Sequence, residues 1–203
     1  YKGLDTENLT VCLDPGHGGD DKGATNGDIE ESSQMLEMAG FIKTEFEKYG
    51  VLVVLTRNDD SFMFLNPRSQ VANDNKADVF ISLHRDGNSE SGDSNTVNIF
   101  IDKEADNTTE SFAENIYKKL KKVGGMETSK VKYGSIGDEE TNYVVIDGVS
   151  MPACLINFGS VSSDQDNENY SAYKEKYAKA IVDGTLKYLS QREDTGENES
   201  ESE

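Results

Sequence analysis

The 203-residue chain contains two histidines, and each ends a short apolar run. His17 lies in Leu13-Asp14-Pro15-Gly16-His17-Gly18-Gly19, where a strand-like segment meets a Pro-Gly turn. His84 closes Val79-Phe80-Ile81-Ser82-Leu83 and leads into Arg85-Asp86-Gly87. Two histidines at strand ends are what a metal site assembled from separate strands requires. Zinc takes neutral imidazole nitrogens, and a catalytic zinc adds a carboxylate and keeps one position open. The candidate carboxylates are Glu30 and Glu31, at the start of the helical segment that follows. The same two acids would also serve as helix-start charges facing the macrodipole. A histidine between glycines equally suits a surface turn, although glycines on both sides would let a ligand come close.

The elements that must position these residues follow from periodicity. Residues 9–13, 51–55, 79–83, 97–101, 143–146 and 153–158 read as strands, short and rich in apolar or β-branched side chains. From 31 to 49, Met35, Leu36, Met38, Ala39, Ile42 and Phe46 recur at helical spacing, and Gly50 supplies a stop. Further helices are expected over 68–75, 110–123 and 170–189. Strands alternating with helices of this length imply crossover connections and an α/β fold with a largely parallel or mixed sheet. Ligand sites in such sheets lie outside the carboxyl ends of the strands, where both histidines fall.

Composition narrows the class. The chain carries 39 acidic against 20 basic side chains, a net charge of −19, which repels phosphate backbones and excludes nucleic acid as a partner. No apolar stretch approaches the roughly 18 residues of a membrane span. Cys12 and Cys154 each sit in an apolar run and read as buried thiols. One domain is expected over residues 1–191. Residues 192–203 hold six acids against one base and no apolar side chain, and read as an acidic, disordered tail. Tyr, not Met, stands first, so the chain is expected to be a fragment or a processed form.

The chain resembles the zinc-dependent N-acetylmuramoyl-L-alanine amidases of bacterial cell-wall hydrolases. The blocks that carry the resemblance are LDPGHGG with Gly23-Ala24, ESSQMLEMA, LTRNDD, RSQVAN with Lys76-Ala77-Asp78, FISLH and PACLINFG, in the family's order. The resemblance implies a single α/β domain with a twisted, mostly parallel six-stranded sheet and helices on both faces. It places the metal ligands at His17, Glu31 and His84. Glu31 is chosen over Glu30 because the family's glutamate stands five residues before a leucine and eight before an alanine, here Leu36 and Ala39. The implied reaction is hydrolysis of the amide between the lactyl group of N-acetylmuramic acid and L-alanine. Zn²⁺ is the implied cofactor, peptidoglycan or a muropeptide the partner, a monomer the acting form, and the cell envelope or exterior the place.

Two positions depart from the family. Asn157 in Leu155-Ile156-Asn157-Phe158-Gly159 occupies the position of the general-base glutamate. An amide has nearly the shape of a carboxylate but takes no proton at neutral pH. Asp86, Glu139, Glu140 and Asp147 are candidate substitutes, and a catalytically impaired relative that binds peptidoglycan or a partner protein is the alternative. Arg85 follows His84 where the family has a small residue, and is expected at the surface. Arg68 and Asp59 are expected to be structural, through an ion pair that holds the helix opening at Arg68.

Overall fold

The computed structural model describes residues 4–87 and 95–200, with side chains as far as Arg192. In chain order the elements are β1 (Thr10–Pro15), β2 (Thr25–Asn26), β3 (Ile29–Glu30), α1 (Glu31–Glu47), β4 (Leu52–Leu55), α2 (Leu65–Asp74) and β5 (Val79–Asp86). There follow β6 (Thr96–Ile101), α3 (Asn107–Leu120), β7 (Glu127–Thr128), β8 (Lys132–Tyr133), α4 (Val144–Asp147), β9 (Ala153–Ser160) and α5 (Asp164–Ser200). The main sheet has the order β4-β1-β5-β9-β6-β7, with β8 also pairing β6. β4, β1, β5 and β9 are mutually parallel, and β6 runs antiparallel to β9. The two-residue strands β7 and β8 share the outer edge of β6, so the expected six-strand, mostly parallel sheet is seven strands in six positions.

Alternation along the strands divides the interior in two. Val79, Ile81 and Leu83 of β5 enter a core with Met35 and Ile42 of α1, Phe112 of α3 and Tyr177 of α5. Phe80 points the other way, into a smaller core with Cys12, Phe100 and Leu155 under Ala72 of α2 and Val145 and Ile146 of α4. Helices therefore cover both faces, and the inner strands are buried on both sides. Both cysteines are free and buried, as expected, and burial pushes the Cys12 thiol up to about 12.

Residues 143–146 are not a strand. Val144–Asp147 forms a single helical turn that buries Val145 and Ile146 and leaves Val144 exposed. A four-residue apolar run suits either period, and packing against α2 decides it here. Arg85 is also not at the surface. It is 3% exposed, and its guanidinium donates to the carbonyls of Phe158 and Ser160, to Gln34 of α1 and to Asn167 of α5. It stacks 4.8 Å from the Tyr170 ring. Alternation explains the difference, because Arg85 faces the α1/α5 side in the phase of Leu83 while His84 faces the other.

Beyond β1 the chain turns inward, and two buried arginines hold it. Arg68 pairs with the Asp14 carboxylate at 3.0 Å and donates to the carbonyls of Pro15 and His17, both at 2.8 Å. Arg57 donates to the carbonyls of Pro15, Gly16 and Ser32. Asp14 is completed by the hydroxyls of Thr56 and Ser82 at 2.7 Å each. Arg68 does form a buried ion pair, but its acidic partner is Asp14. Asp59 gives its carbonyl to Arg57, and its carboxylate charge also favours the Arg57 cation.

Replacing Arg68 by Met strands a buried carboxylate, a loss of about 3–5 kcal/mol. In a domain of this size the melting temperature should fall by roughly 10 °C. A wild-type melting curve would show that Asp14 needs no counter-ion. Helix α5 extends to Ser200, past the expected domain limit at 191. The last described side-chain contact is Arg192 Nη2 to Asp78 at 2.6 Å, an exposed pair worth about 0–1 kcal/mol. Truncation after Arg192 should leave the melting temperature within about 2 °C, as calorimetry would show.

Candidate metal centre

His17 follows the carboxyl end of β1 and His84 lies near that of the adjacent β5, while Glu31 is the first residue of α1. The three sequence-predicted side chains converge, with one possible ligand atom from each lying within 4.8 Å of the others. His17 Nε2 is 3.3 Å from Glu31 Oε2, and His84 Nδ1 is 3.0 Å from Glu31 Oε1. Glu31 is buried, and the backbone N–H groups of Ala24 and Arg85 donate to its two oxygens at 2.9 Å each. Glu30, one residue earlier, turns outward and pairs with Lys22.

Glycines make room for this packing. A Cβ on Gly16 would stand 2.3 Å from Cε1 of the His84 ring, and one on Gly23 would stand 2.5 Å from Glu31 Oε2. His17 itself adopts φ +60°, a left-handed conformation that costs a non-glycine residue roughly 1–2 kcal/mol. Arg68 on its carbonyl and Asp21 on its Nδ1, at 2.8 Å, hold it there. A carboxylate on Nδ1 fixes the ring and directs Nε2 to the shared centre, the arrangement that orients metal-binding histidines.

Charge follows geometry. Burial works against a proton on His17, but the carboxylates of Glu31 and Asp21 outweigh it, and the imidazole is pushed up to about 9. Glu31 resists burial's upward push, because the two imidazoles hold it well below the usual carboxylate range. Two imidazoles and one carboxylate at this spacing are a donor set suited to a divalent transition metal.

A cavity of about 290 Å³ opens beside the histidines, lined also by Asp14, Asp21 and Arg68. Its apolar wall is Phe62-Met63-Phe64-Leu65, with the rings of Phe62 and Phe64 edge to face at 4.9 Å. Phe64 is 71% exposed. Neither this wall nor the Asp21 brace was legible beforehand, since an apolar run between a strand and a helix carries no mark of exposure. Asn157 lies opposite His84 across the β5–β9 pairing. Among the candidate bases, Glu139 and Asp147 line other cavities, and neither Asp86 nor Glu140 lines this one.

At the strand ends of this α/β sheet, two imidazoles and a carboxylate gather as a group that could hold a metal ion. The sequence model of N-acetylmuramoyl-L-alanine amidase (Amidase_3) matches residues 11–187, and the chain belongs to that family. It is 31% identical over 181 residues to the N-acetylmuramoyl-L-alanine amidase LytC of Bacillus subtilis, covering 88% of this chain and 35% of LytC. The chain thus spans about a third of that relative. The catalytic domain of CwlV, an N-acetylmuramoyl-L-alanine amidase from Bacillus (Paenibacillus) polymyxa, superposes with a TM-score of 0.79 at 29% identity, covering 90% of this chain and 98% of that one. The CwlD amidase of Clostridioides difficile, solved in complex with the GerS lipoprotein, gives 0.77 at 26%, covering 90% and 99%.

In the metal-free protein the raised His17 pKa has a defined consequence. The charged imidazole stabilises the fold below pH 6.5, and that contribution is lost as pH rises through about 9. An NMR titration of the imidazole nitrogens after chelation should give a midpoint near 9 for His17. A midpoint at the ordinary 6.5 would mean that the carboxylates do not act on it.

Proposed function

We propose that this chain is a zinc-dependent peptidoglycan amidase domain acting on the bond between the lactyl group of N-acetylmuramic acid and L-alanine. The observation that carries the reading is the convergence of His17, Glu31 and His84 beside an open cavity in a chain of this family. His17 through Nε2, His84 through Nδ1 and Glu31 through a carboxylate oxygen would hold the ion. Bound zinc supplies Lewis acidity, polarising the scissile carbonyl and letting water ionise near neutral pH.

The remaining work falls to the chain's own groups. Asp21 keeps the His17 ring turned inward, and the Arg85 N–H keeps the Glu31 carboxylate in place. The Phe62–Leu65 wall shields one side of the cavity from water and offers apolar surface to the lactyl and alanyl methyl groups. Asn157 stands beside His84 but takes no proton, and losing a general base slows such reactions by about 10²–10⁴-fold. That residue favours a second reading within the same site, a domain that binds muropeptides through its metal and turns them over slowly. Peptidoglycan places either activity in the cell envelope or outside the cell. Among the described residues, no helix is long and apolar enough to cross a membrane. The acidic surface suits a monomer that does not bind nucleic acid.

Digesting purified muropeptides with the zinc-loaded protein should release free stem peptide detectable by mass spectrometry. Release of none, with no muropeptide binding either, would remove both readings. Metal analysis should find one zinc per chain in the wild type and in Glu30→Gln, and none in Glu31→Gln. Zinc retained in full by Glu31→Gln would move the ligand elsewhere. Asn157→Glu restores a proton acceptor beside His84, and its amidase rate should exceed that of the wild type by about 10²–10⁴-fold. An unchanged rate would place the base on another residue.

A further inference from the structure

One buried polar residue, two strands across the sheet from His84, has no part in the mechanism above. Asn98 of β6 lies opposite Asn157 in the antiparallel β6–β9 register, and Asn157 lies opposite His84 in the parallel β5–β9 register. Directly paired residues project to the same side of a sheet, so His84, Asn157 and Asn98 form one row on the α2/α4 face. Asn98 is fully buried and Asn157 is 6% exposed. Asn157 Oδ1, Asn98 Nδ2 and Asn98 Oδ1 are all buried with no hydrogen-bond partner among the described residues.

Leaving a buried polar group unpaired forfeits the hydrogen bonds it made to water in the unfolded chain. Phe80, Phe100 and Leu155, on the same face, show that this layer is otherwise built from apolar side chains. A leucine-sized residue at 98 would fit such surroundings at lower cost, so the amide needs a reason. Cross-strand pairs place their Cβ atoms about 4.5–5.5 Å apart, a separation that a hydrogen bond from Asn98 Nδ2 to Asn157 Oδ1 can span. The oxygen is the inward, buried end of the Asn157 amide. Bonding it to Asn98 leaves the Asn157 NH₂ group for the neighbouring site.

We infer that Asn98 is a positioning residue that grips Asn157 by its oxygen, so that the row presents a hydrogen-bond donor beside His17, Glu31 and His84. Such a donor recognises an acceptor oxygen, a carbonyl or carboxylate of the ligand. On the amidase reading, on which this ligand class rests, that oxygen belongs to the lactyl acyl group. The position then binds oxygen where a carboxylate would instead accept a proton.

The test uses zinc-loaded protein labelled with ¹⁵N-asparagine and N-acetylmuramoyl-L-alanyl-D-isoglutamine as the probe. In the free protein the Asn98 NH₂ should exchange slowly with solvent and the Asn157 NH₂ quickly, and the Asn157 signals should move as the probe is added. Asn98→Asp replaces the donor by an acceptor and should turn Asn157 round, protecting its NH₂ and weakening probe binding by about tenfold, the loss of one hydrogen bond. Asn98→Ser keeps a donor and should bind within about threefold of wild type. Both variants should keep full zinc content. Equal Asn157 exchange in wild type and Asn98→Asp, or equal probe affinity in the Asp and Ser variants, overturns the inference. If the expected exchange pattern is found but the wild type binds no probe, the pairing stands while the ligand assignment falls with the amidase reading.

Discussion

The buried contact between Asp14 and Arg68 is the constraint on which the site depends. After β1 the backbone turns its carbonyls at Pro15, Gly16 and His17 inward, where water cannot satisfy them. Two guanidinium groups, from Arg57 and Arg68, supply the donors. Asp14 offsets one of the two charges by pairing with Arg68, and Thr56 and Ser82 complete its lone pairs. Arg57 lies beside a second buried cation, and burial together with Arg68 lowers its pKa. A fork of rigid donors suits several carbonyls at once in a way that a lysine ammonium does not. Held in this way, His17 tolerates a left-handed backbone that would otherwise relax and carry its ring away from Glu31.

The same economy operates on the other side of the sheet. His84 and Arg85 are neighbours in sequence but belong to opposite faces, one serving the site and one the main core. Arg85 ties β9, α1 and α5 together through two backbone carbonyls, of Phe158 and Ser160, two side-chain amides, of Gln34 and Asn167, and the Tyr170 ring. Its backbone N–H meanwhile reaches Glu31. One residue thus couples the packing of the large helices to the placement of the buried carboxylate. The irregular register between His84 and Asp86 falls where these two duties meet.

Electrostatics around the centre are lopsided. Two carboxylates, Glu31 and Asp21, bear on His17, while the row beyond His84 carries only neutral amides. The arrangement favours holding a cation, and it provides donors for an oxygen ligand in place of a proton acceptor. The apolar wall at Phe62–Leu65 adds surface that polar side chains would not offer.

Much of this was legible in the residues alone. Two histidines, each ending an apolar strand, marked a candidate site, and their side chains do converge with Glu31. The alternation of short apolar runs with helical spacing gave an α/β sheet, and the ordered blocks singled out Glu31 over Glu30. These signals are local, since strand ends, helix starts and turn glycines are written in neighbouring residues. What the residues could not show depended on contacts between distant segments. The run at 143–146 suits either period until α2 packs on it, and it became a helical turn. Arg85 looked like a rim charge because its face is set by the phase of β5, and its partners lie on α1, β9 and α5. Arg57 and Asp14 gave no sign of joining Arg68, since their 42- and 54-residue separations from its network close only in the folded chain. Asn98 became noticeable only when the β6–β9 register set it against Asn157. Local pattern determined which elements form and where a metal could sit. Register and packing decided which polar groups are buried together, because burial and pairing belong to the assembled sheet.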